Sequence, residues 1–205
     1  MPMTMITASG AEAVAAGRQA SRLVLACLFG MLSLAAWLPA HADDNVEIRD
    51  ARLKLEDEVL YLDAVIGYRL TPAMVDALHE GLPLTMLATI EIVRSRDYWV
   101  DDVVAHLEQR YRLEFLALTR QYLLTNVNSG AQFRFPSLEA AVSVLGTIVH
   151  LPLLDRNLLD PDARYYARML VQLDEEALPV PLRLLSYFSS DWHLKSEWHS
   201  WQLRF

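Results

Sequence analysis

Residues 110–139 constrain the fold most strongly, because apolar and charged side chains alternate there with a period of two. Over residues 111–117 the apolar side chains recur at every second position, which is typical of a strand with one buried face. A second apolar run, residues 122–127, leads to Gly130, where glycine can take the positive φ of a tight hairpin turn, and residues 132–135 return. These consecutive strands predict a β-meander.

The same patterns predict the other elements of the fold. Alternation predicts strands over 46–55, 59–70, 83–94, 101–109 and 164–174, and a final strand or hairpin over 191–205. Residues 101–109 also fit helical spacing, but their alternation continues unbroken into the meander and favours a strand. Capping residues and apolar spacing predict short helices over 71–81 and 137–146, with a shorter one over 182–188, and residues 151–152 and 158–163 are predicted to be loop. We therefore expect a mainly β fold, an antiparallel β-sandwich of the immunoglobulin-like kind or a related meander, with two or three short helices.

The first 42 residues have the features of a secretory signal peptide. Basic residues precede an apolar run over 23–38, and Ala40 and Ala42 are the small residues that a signal peptidase reads. The run is shorter than the ~20 residues that a membrane-spanning helix needs. We predict cleavage after Ala42 and export to the periplasm; the alternative is an uncleaved helix that anchors the protein in the inner membrane.

Cys27 is the only cysteine, and it lies within the predicted signal peptide. Residues 43–205 would then be a single thiol-free domain of unknown function, 205 − 42 = 163 residues long, which is enough for one hydrophobic core. The whole chain has a formal net charge of −8. Such an acidic protein is repelled by nucleic acid and by anionic lipid, so we expect neither as a partner, and no stable membrane insertion after cleavage.

The sharpest candidate metal ligands are four polar residues near the C-terminus that share one face if this segment is a continuous strand: Asp191, His193, Glu197 and His199. Positions two apart on a strand are about 7 Å apart, so the two histidines would lie too far apart to share an ion without a bend. A solvated polar face is the favoured interpretation, and a metal-dependent hydrolase ranks low. His106 with Asp101 and Asp102 is a second possible cluster, but nothing in the sequence fixes their approach. The chain also has no nucleophile elbow, no H-E-x-x-H and no glycine-rich phosphate loop. We predict no metal, no cofactor and no enzymatic activity.

Aromatic residues are the better candidates for a binding surface. Exposed tryptophans can anchor a partner protein or stack on sugar rings, whereas buried tryptophans would fill the core. Alternation favours the core for Trp192 and Trp198 and leaves both possibilities open for Trp99 and Trp201. Arg120 is added because an arginine buried in the meander would need a carboxylate partner. The candidate binding residues are Trp99, Arg120, Tyr187, Trp192, Trp198 and Trp201.

Three stretches carry a family resemblance: LTRQYLLTNVNSGAQFRFPSLEAAV, DRNLLDPDARYYARMLVQLDEEALPVPLR and SSDWHLKSEWHSWQL. Their markers are TRQY at 119–122, the proline corner at 178–181, and the tryptophans of the last stretch. On these residues the chain resembles a proteobacterial family of secreted proteins, domain-of-unknown-function family 4390, from about residue 46 to residue 203. The resemblance implies scaffold roles for the markers and supplies no catalytic residues. It also implies an envelope location, since members are often encoded beside membrane sensor kinases of the nitrogen-regulation type.

Two functions are consistent with these observations. The first is a periplasmic binding or protein-interaction module that is accessory to an envelope or inner-membrane sensor kinase. The second is an aromatic-lined protein that binds a small ligand or a glycan.

Overall fold

The computed structural model describes residues 45–97, 99–180, 183 and 189–203, which all lie in the compact unit Asp43–Phe205. These residues form nine β-strands and two α-helices. The strands are β1 (Val46–Glu56), β2 (Val59–Tyr68), β3 (Leu84–Ser95), β4 (Asp102–Leu116), β5 (Gln121–Asn126), β6 (Gln132–Phe135), β7 (Thr147–Asp155), β8 (Arg164–Leu173) and β9 (His199–Gln202). Helix α1 (Pro72–His79) connects β2 to β3, and helix α2 (Leu138–Leu145) connects β6 to β7.

The strands form two antiparallel sheets, as the alternation predicted. One sheet has three strands in the order β1-β2-β7, and the other has six strands in the order β6-β5-β4-β3-β8-β9. Four successive strands, β3 to β6, lie side by side, so the predicted meander is confirmed. Residues 101–109 belong to β4, which confirms the strand over the helical alternative. The mainly β architecture is consistent with the expected β-sandwich.

One apolar core joins the inner faces of the two sheets. Leu62 of β2, Met86 and Ile90 of β3 and Met169 of β8 are at most 1% exposed and belong to the same cluster of buried side chains. Helix α1 adds Leu78 to this cluster. Removing a leucine or methionine side chain of this size from water stabilises a fold by about 2 kcal/mol. The core therefore supplies the main stabilisation of both sheets.

Strand β3 lies at the centre of the six-stranded sheet and is buried on both faces. Its inward residues were predicted from the alternation, but the outward residues Thr85, Leu87 and Thr89 are also buried. Leu87 is flanked in register by Arg110 of β4 and Gln172 of β8. Long polar side chains of this kind cover apolar neighbours with their aliphatic stems while their polar ends stay in water.

Both helices begin and end at the residues that the sequence indicated. The Thr71 hydroxyl accepts a hydrogen bond from the Met74 amide at 3.3 Å, and the Ser137 hydroxyl accepts one from the Ala140 amide at 3.3 Å. These hydroxyls satisfy amides at the helix start that have no partner within the helix. Gly81 follows α1 with a φ of 86°, the left-handed conformation that glycine adopts without strain.

Strand β7 corrects the prediction that residues 151–152 are loop. The strand pairs with β2 at the edge of the three-stranded sheet. Proline has no backbone N–H to donate, and an edge strand tolerates Pro152 because one side of it has no neighbouring strand in the described sheet. The register shifts twice along this pair, and His150 takes a φ of 54° beside one shift. The prediction missed this strand because proline and irregular pairing both interrupt the alternation on which it rested.

The strand or hairpin predicted over residues 191–205 is confirmed only over His199–Gln202. Residues Ser190–Trp192 form a 3-10 turn, Lys195 makes one isolated bridge to Gln172, and only His199–Gln202 is a strand. The burial of every second residue persists at Trp192, Leu194 and Ser196, because this segment still packs along β8. Alternating burial along an edge therefore does not require a regular ladder of hydrogen bonds.

Two predictions fall on residues outside the described ranges. The signal peptide and its cleavage after Ala42 lie there, as does nearly all of the short helix over 182–188. Within the described ranges, no helix is both long enough and apolar enough to cross a membrane.

Candidate functional site

The β3–β4 hairpin ends in a strongly exposed apolar pair. Trp99 is 80% exposed and Val100 is 89% exposed; we call these two residues the tip. Val103 and Val104 follow at the start of β4 and are both more than 40% exposed. A tryptophan with this exposure contributes almost nothing to the core, so its place at the end of a long hairpin calls for another explanation.

Ion pairs hold the two strands together immediately behind the tip. The Asp102 carboxylate accepts hydrogen bonds from the guanidinium groups of Arg94, at 3.1 Å, and Arg96, at 2.7 Å. The backbone amide of Arg96 donates to Asp101 Oδ1 at 3.1 Å, which closes the connecting loop. Because Arg94 and Asp102 are also partners in the β3–β4 register, these contacts extend the ladder to the base of the tip.

Strand β8 braces the same loop from the other side. Arg164 forms an ion pair with Asp97, and the Tyr166 hydroxyl donates a hydrogen bond to Asp101 Oδ2 at 3.0 Å. Burial, assisted by the Asp101 carboxylate, raises the pKa of the Tyr166 phenol, so this hydroxyl stays a donor at neutral pH. We call the six charged residues around the tip, together with Tyr166, the collar: Arg94, Arg96, Asp97, Asp101, Asp102, Arg164 and Tyr166.

Farther from the tip along β3, a row of charged side chains crosses the outer face of the six-stranded sheet. Arg168 donates to Glu91 at 2.6 Å, and the second oxygen of Glu91 lies 3.2 Å from His106 Nδ1. The Arg168 guanidinium also lies over the Trp198 ring, 4.7 Å from its centroid. Trp198 is 41% exposed, but this cation–π contact already occupies one face of its ring.

A polar pocket of about 590 Å³ lies on this outer face, and its lining residues Glu108 and Arg110 are eight and ten residues along β4 from Val100. Arg110 stands between two carboxylates in its wall, 2.7 Å from Glu108 and 3.3 Å from Asp174. The hydrogen bond from Arg110 holds the pKa of Glu108 below its usual range. The pocket can accept a polar group, but these three charges already satisfy one another. Its other lining residues are Leu87, Gln172, Leu173, Glu175, Glu176, His193, Leu194 and Lys195.

The predicted aromatic residues do not share one environment. Trp192 is 6% exposed and lies in the core, as predicted. Trp201 is half-buried and packs against the same core cluster. The Trp201 indole N–H is buried without a hydrogen-bond partner among the described residues. Trp198 was predicted to be in the core and is exposed instead, because regular pairing begins only at His199. Trp99 is the most exposed of these four tryptophans, and Tyr187 lies outside the described ranges.

Arg120 is exposed and is not buried in the meander. It lies in the turn between β4 and β5 with a φ of 53°, a left-handed conformation that is uncommon for arginine. An exposed guanidinium in this position needs no buried carboxylate, so the argument that made Arg120 a candidate no longer applies.

The four C-terminal polar residues do not converge into one cluster. His193 Nδ1 lies 3.1 Å from the Ser189 carbonyl oxygen, and the His199 ring lies 5.7 Å from the Trp201 ring. Asp191 accepts a hydrogen bond from the Ser189 hydroxyl. Across the part of the chain that the structure describes, no three histidine, cysteine or acidic residues are placed to hold a metal ion.

The collar and Val100 were missed by the sequence analysis. A signal for them was present, because the run VRSRDYWVDD places two arginines and an aspartate before an aromatic and apolar centre and two aspartates after it. From that run the sequence analysis took only Trp99 as a candidate binding residue. Arg164 has no sequence signal of this kind, since it reaches Asp97 only through the pairing of β3 with β8.

Comparison with known proteins yields one match. The model of the family described as "Domain of unknown function (DUF4390)" matches residues 43–202. Neither the curated proteins nor the solved structures include a match to this chain. A match over most of the chain shows that the protein belongs to the DUF4390 family.

Proposed function

We propose that this protein is an exported interaction module that docks onto a partner protein through Trp99 and Val100. The observation that carries the proposal is the 80% exposure of Trp99 at the end of a hairpin that ion pairs hold in place. Tryptophan is enriched among the residues that dominate binding energy at protein interfaces. Burying about 200 Å² of its ring at ~25 cal/mol per Å² contributes on the order of 5 kcal/mol.

The family and the N-terminal sequence support an envelope location for this partner. Residues 1–42 have the composition of a secretory signal peptide, which would deliver the domain to the periplasm. The extracytoplasmic part of a membrane sensor kinase is the first candidate partner, since the resemblance implies that such kinases are encoded nearby. The proposed role is accessory: the domain binds and contributes no chemistry of its own.

A glycan-binding role has less support. Sugar platforms need exposed aromatic faces beside hydrogen-bonding groups, whereas Trp192 lies in the core and Arg168 covers one face of Trp198. None of the tryptophans that the structure describes lines the polar pocket. The tip is therefore the better candidate contact.

Site-specific photocrosslinking in the periplasm tests the proposal. A photoreactive amino acid at Val100 leaves Trp99 intact, and Leu118, which is fully exposed in the β4–β5 turn, is the matched control position. We expect a discrete protein adduct from position 100, absent from position 118, that disappears when Trp99→Ala is added. Binding of the purified adduct partner should weaken by about tenfold or more with Trp99→Ala, and should not change with Leu118→Ala.

Two results would contradict the proposal. One is equal crosslinking from positions 100 and 118, which would indicate random collision. The other is unchanged affinity of the Trp99→Ala variant for the captured partner, which would show that the tip is not the anchor.

A further inference from the structure

We infer that the tip enters an apolar, uncharged pocket of its partner protein, and that the collar fixes the tip in its binding conformation before the partner arrives. This inference rests on the proposed docking function and specifies the chemistry of the partner. The observations behind it are the charges and contacts of the collar, in addition to the exposure of the Trp99 ring.

The collar is electrically neutral, although the protein is acidic. It contains three arginines and three aspartates, so its formal charge is 3 − 3 = 0, while the whole chain carries −8. Every collar aspartate has a partner within the chain: Asp97 has Arg164, Asp101 has Tyr166, and Asp102 has Arg94 and Arg96.

A charged group on the partner would gain little from such a collar. It would have to compete with an existing ion pair, and the displaced charge would then lack a partner in a closed interface. An apolar surface meets no such penalty, because Trp99 and Val100 stand beyond the collar and present only side-chain carbon and one indole N–H. The complementary surface is therefore a concave apolar pocket with a single hydrogen-bond acceptor for the indole.

The contacts behind the tip also come from three different strands. Arg94 lies at the end of β3, Asp102 at the start of β4, and Arg164 and Tyr166 on β8. A loop tied to three strands loses little conformational freedom on binding, whereas a free loop would have to be ordered at that moment. Arg164 and Tyr166 are thus positioning residues that act on the tip without reaching the partner.

A membrane surface fits these observations less well than a protein. Interfacial segments that bind anionic leaflets carry an excess of lysine or arginine beside their apolar residues. The collar has no such excess, and the acidic chain as a whole is repelled by anionic lipid.

The test uses the full mature chain with the photoreactive amino acid at Val100, mixed with periplasmic and envelope extract. We expect the yield of the protein adduct to change by less than about twofold between ~0.05 M and ~0.5 M NaCl, because screening acts on charged contacts and leaves apolar ones intact. Vesicles of phosphatidylglycerol and phosphatidylethanolamine, added alone, should give no lipid adduct. A yield that falls severalfold with salt, or a lipid adduct, would overturn the inference.

Collar variants test the positioning role. Arg164→Gln and Tyr166→Phe should each lower the adduct yield severalfold, whereas Arg168→Gln, the same kind of change on the same strand but outside the collar, should not. Fluorine NMR of the 5-fluorotryptophan-labelled free chain, with Trp99 assigned by Trp99→Phe, should show that only the two collar variants alter the Trp99 resonance and its linewidth. An unchanged Trp99 resonance in both collar variants would refute the positioning role.

The inference and the proposed function fail in different ways. If position 100 gives no protein adduct at any salt concentration, the docking function itself fails. If an adduct forms and depends on Trp99, but its yield falls with salt and ignores the collar variants, the docking function survives and the inference is wrong.

Discussion

The amide of Ile66 in β2 donates a hydrogen bond to the carbonyl oxygen of Gly146 at 2.7 Å, so the end of α2 touches the backbone of the three-stranded sheet. A Cβ atom on residue 146 would overlap the carbonyl oxygen of Ile66. Neither backbone can yield without breaking a ladder contact or the last turn of the helix. This close approach explains why α2 ends at a glycine whose φ of −77° any residue could adopt.

Gly146→Ala should therefore destabilise the fold by about 3 kcal/mol, through overpacking against rigid backbone. Gly67→Ala is the matched control, because its added Cβ meets only the mobile end of the Arg49 side chain and should cost about 1 kcal/mol or less. Urea denaturation of the mature chain measures both free energies of unfolding. Equal losses of stability in the two variants would show that the close approach of Gly146 to Ile66 does not exclude a Cβ atom at position 146.

Trp192 and Trp99 should respond in opposite ways to truncation. Trp192 is 6% exposed in the core, so Trp192→Ala should lower the free energy of unfolding by about 3–5 kcal/mol. Trp99→Ala removes a side chain that is 80% exposed and should change stability by no more than about 0.5 kcal/mol. Chemical denaturation checks both values. A strongly destabilised Trp99→Ala variant would mean that the tip serves the fold and not a partner.

Stability should fall at alkaline pH because of Tyr68. Burial, with a smaller contribution from Tyr111, raises the pKa of the Tyr68 phenol above its usual value. A raised pKa in the folded state gives stability that is complete below the unfolded pKa, near 10 for tyrosine, and is lost as the pH rises beyond it. Urea unfolding at about pH 8 and about pH 11 should show a smaller loss for Tyr68→Phe than for the wild type, since phenylalanine cannot ionise. Identical losses would contradict the assignment to Tyr68.

Removing Arg110 should raise the pKa of Glu108. The Arg110 guanidinium lies 2.7 Å from Glu108 and is the main cause of the lowered pKa of that carboxyl group. An NMR titration of the side-chain carboxyl carbons should show the pKa of Glu108 moving upward in Arg110→Gln. Arg112→Gln is the control, because its guanidinium lies 3.8 Å from Glu114 and bonds no other carboxylate in the described structure. An unmoved Glu108 pKa would mean that the wall of the polar pocket is not held by this pair.

The alternation of apolar residues predicted most of the sheet, because a strand with one buried face must repeat every two residues. That rule located β1 to β6 and β8, and the capping hydroxyls of Thr71 and Ser137 located both helices. It failed at β7, where Pro152 and the strained His150 interrupt the repeat on an edge. At the C-terminus the rule predicted a longer strand than the structure has, because a segment with only one isolated bridge also shows alternating burial there.

The sequence by itself determined that the chain is a mainly β domain with an acidic charge, short capped helices and no catalytic motif, since periodicity, capping and composition are local properties. Tertiary structure alone decided where Trp99 lies, because the alternation left both a core and a surface position open for it. Trp192 lies in the core, as the alternation predicted, whereas Trp99 lies on a hairpin tip. Their difference arises because Arg164 and Tyr166, more than sixty residues away in sequence, hold the tip through β8. Contacts of this range depend on how strands pair, which no local pattern specifies.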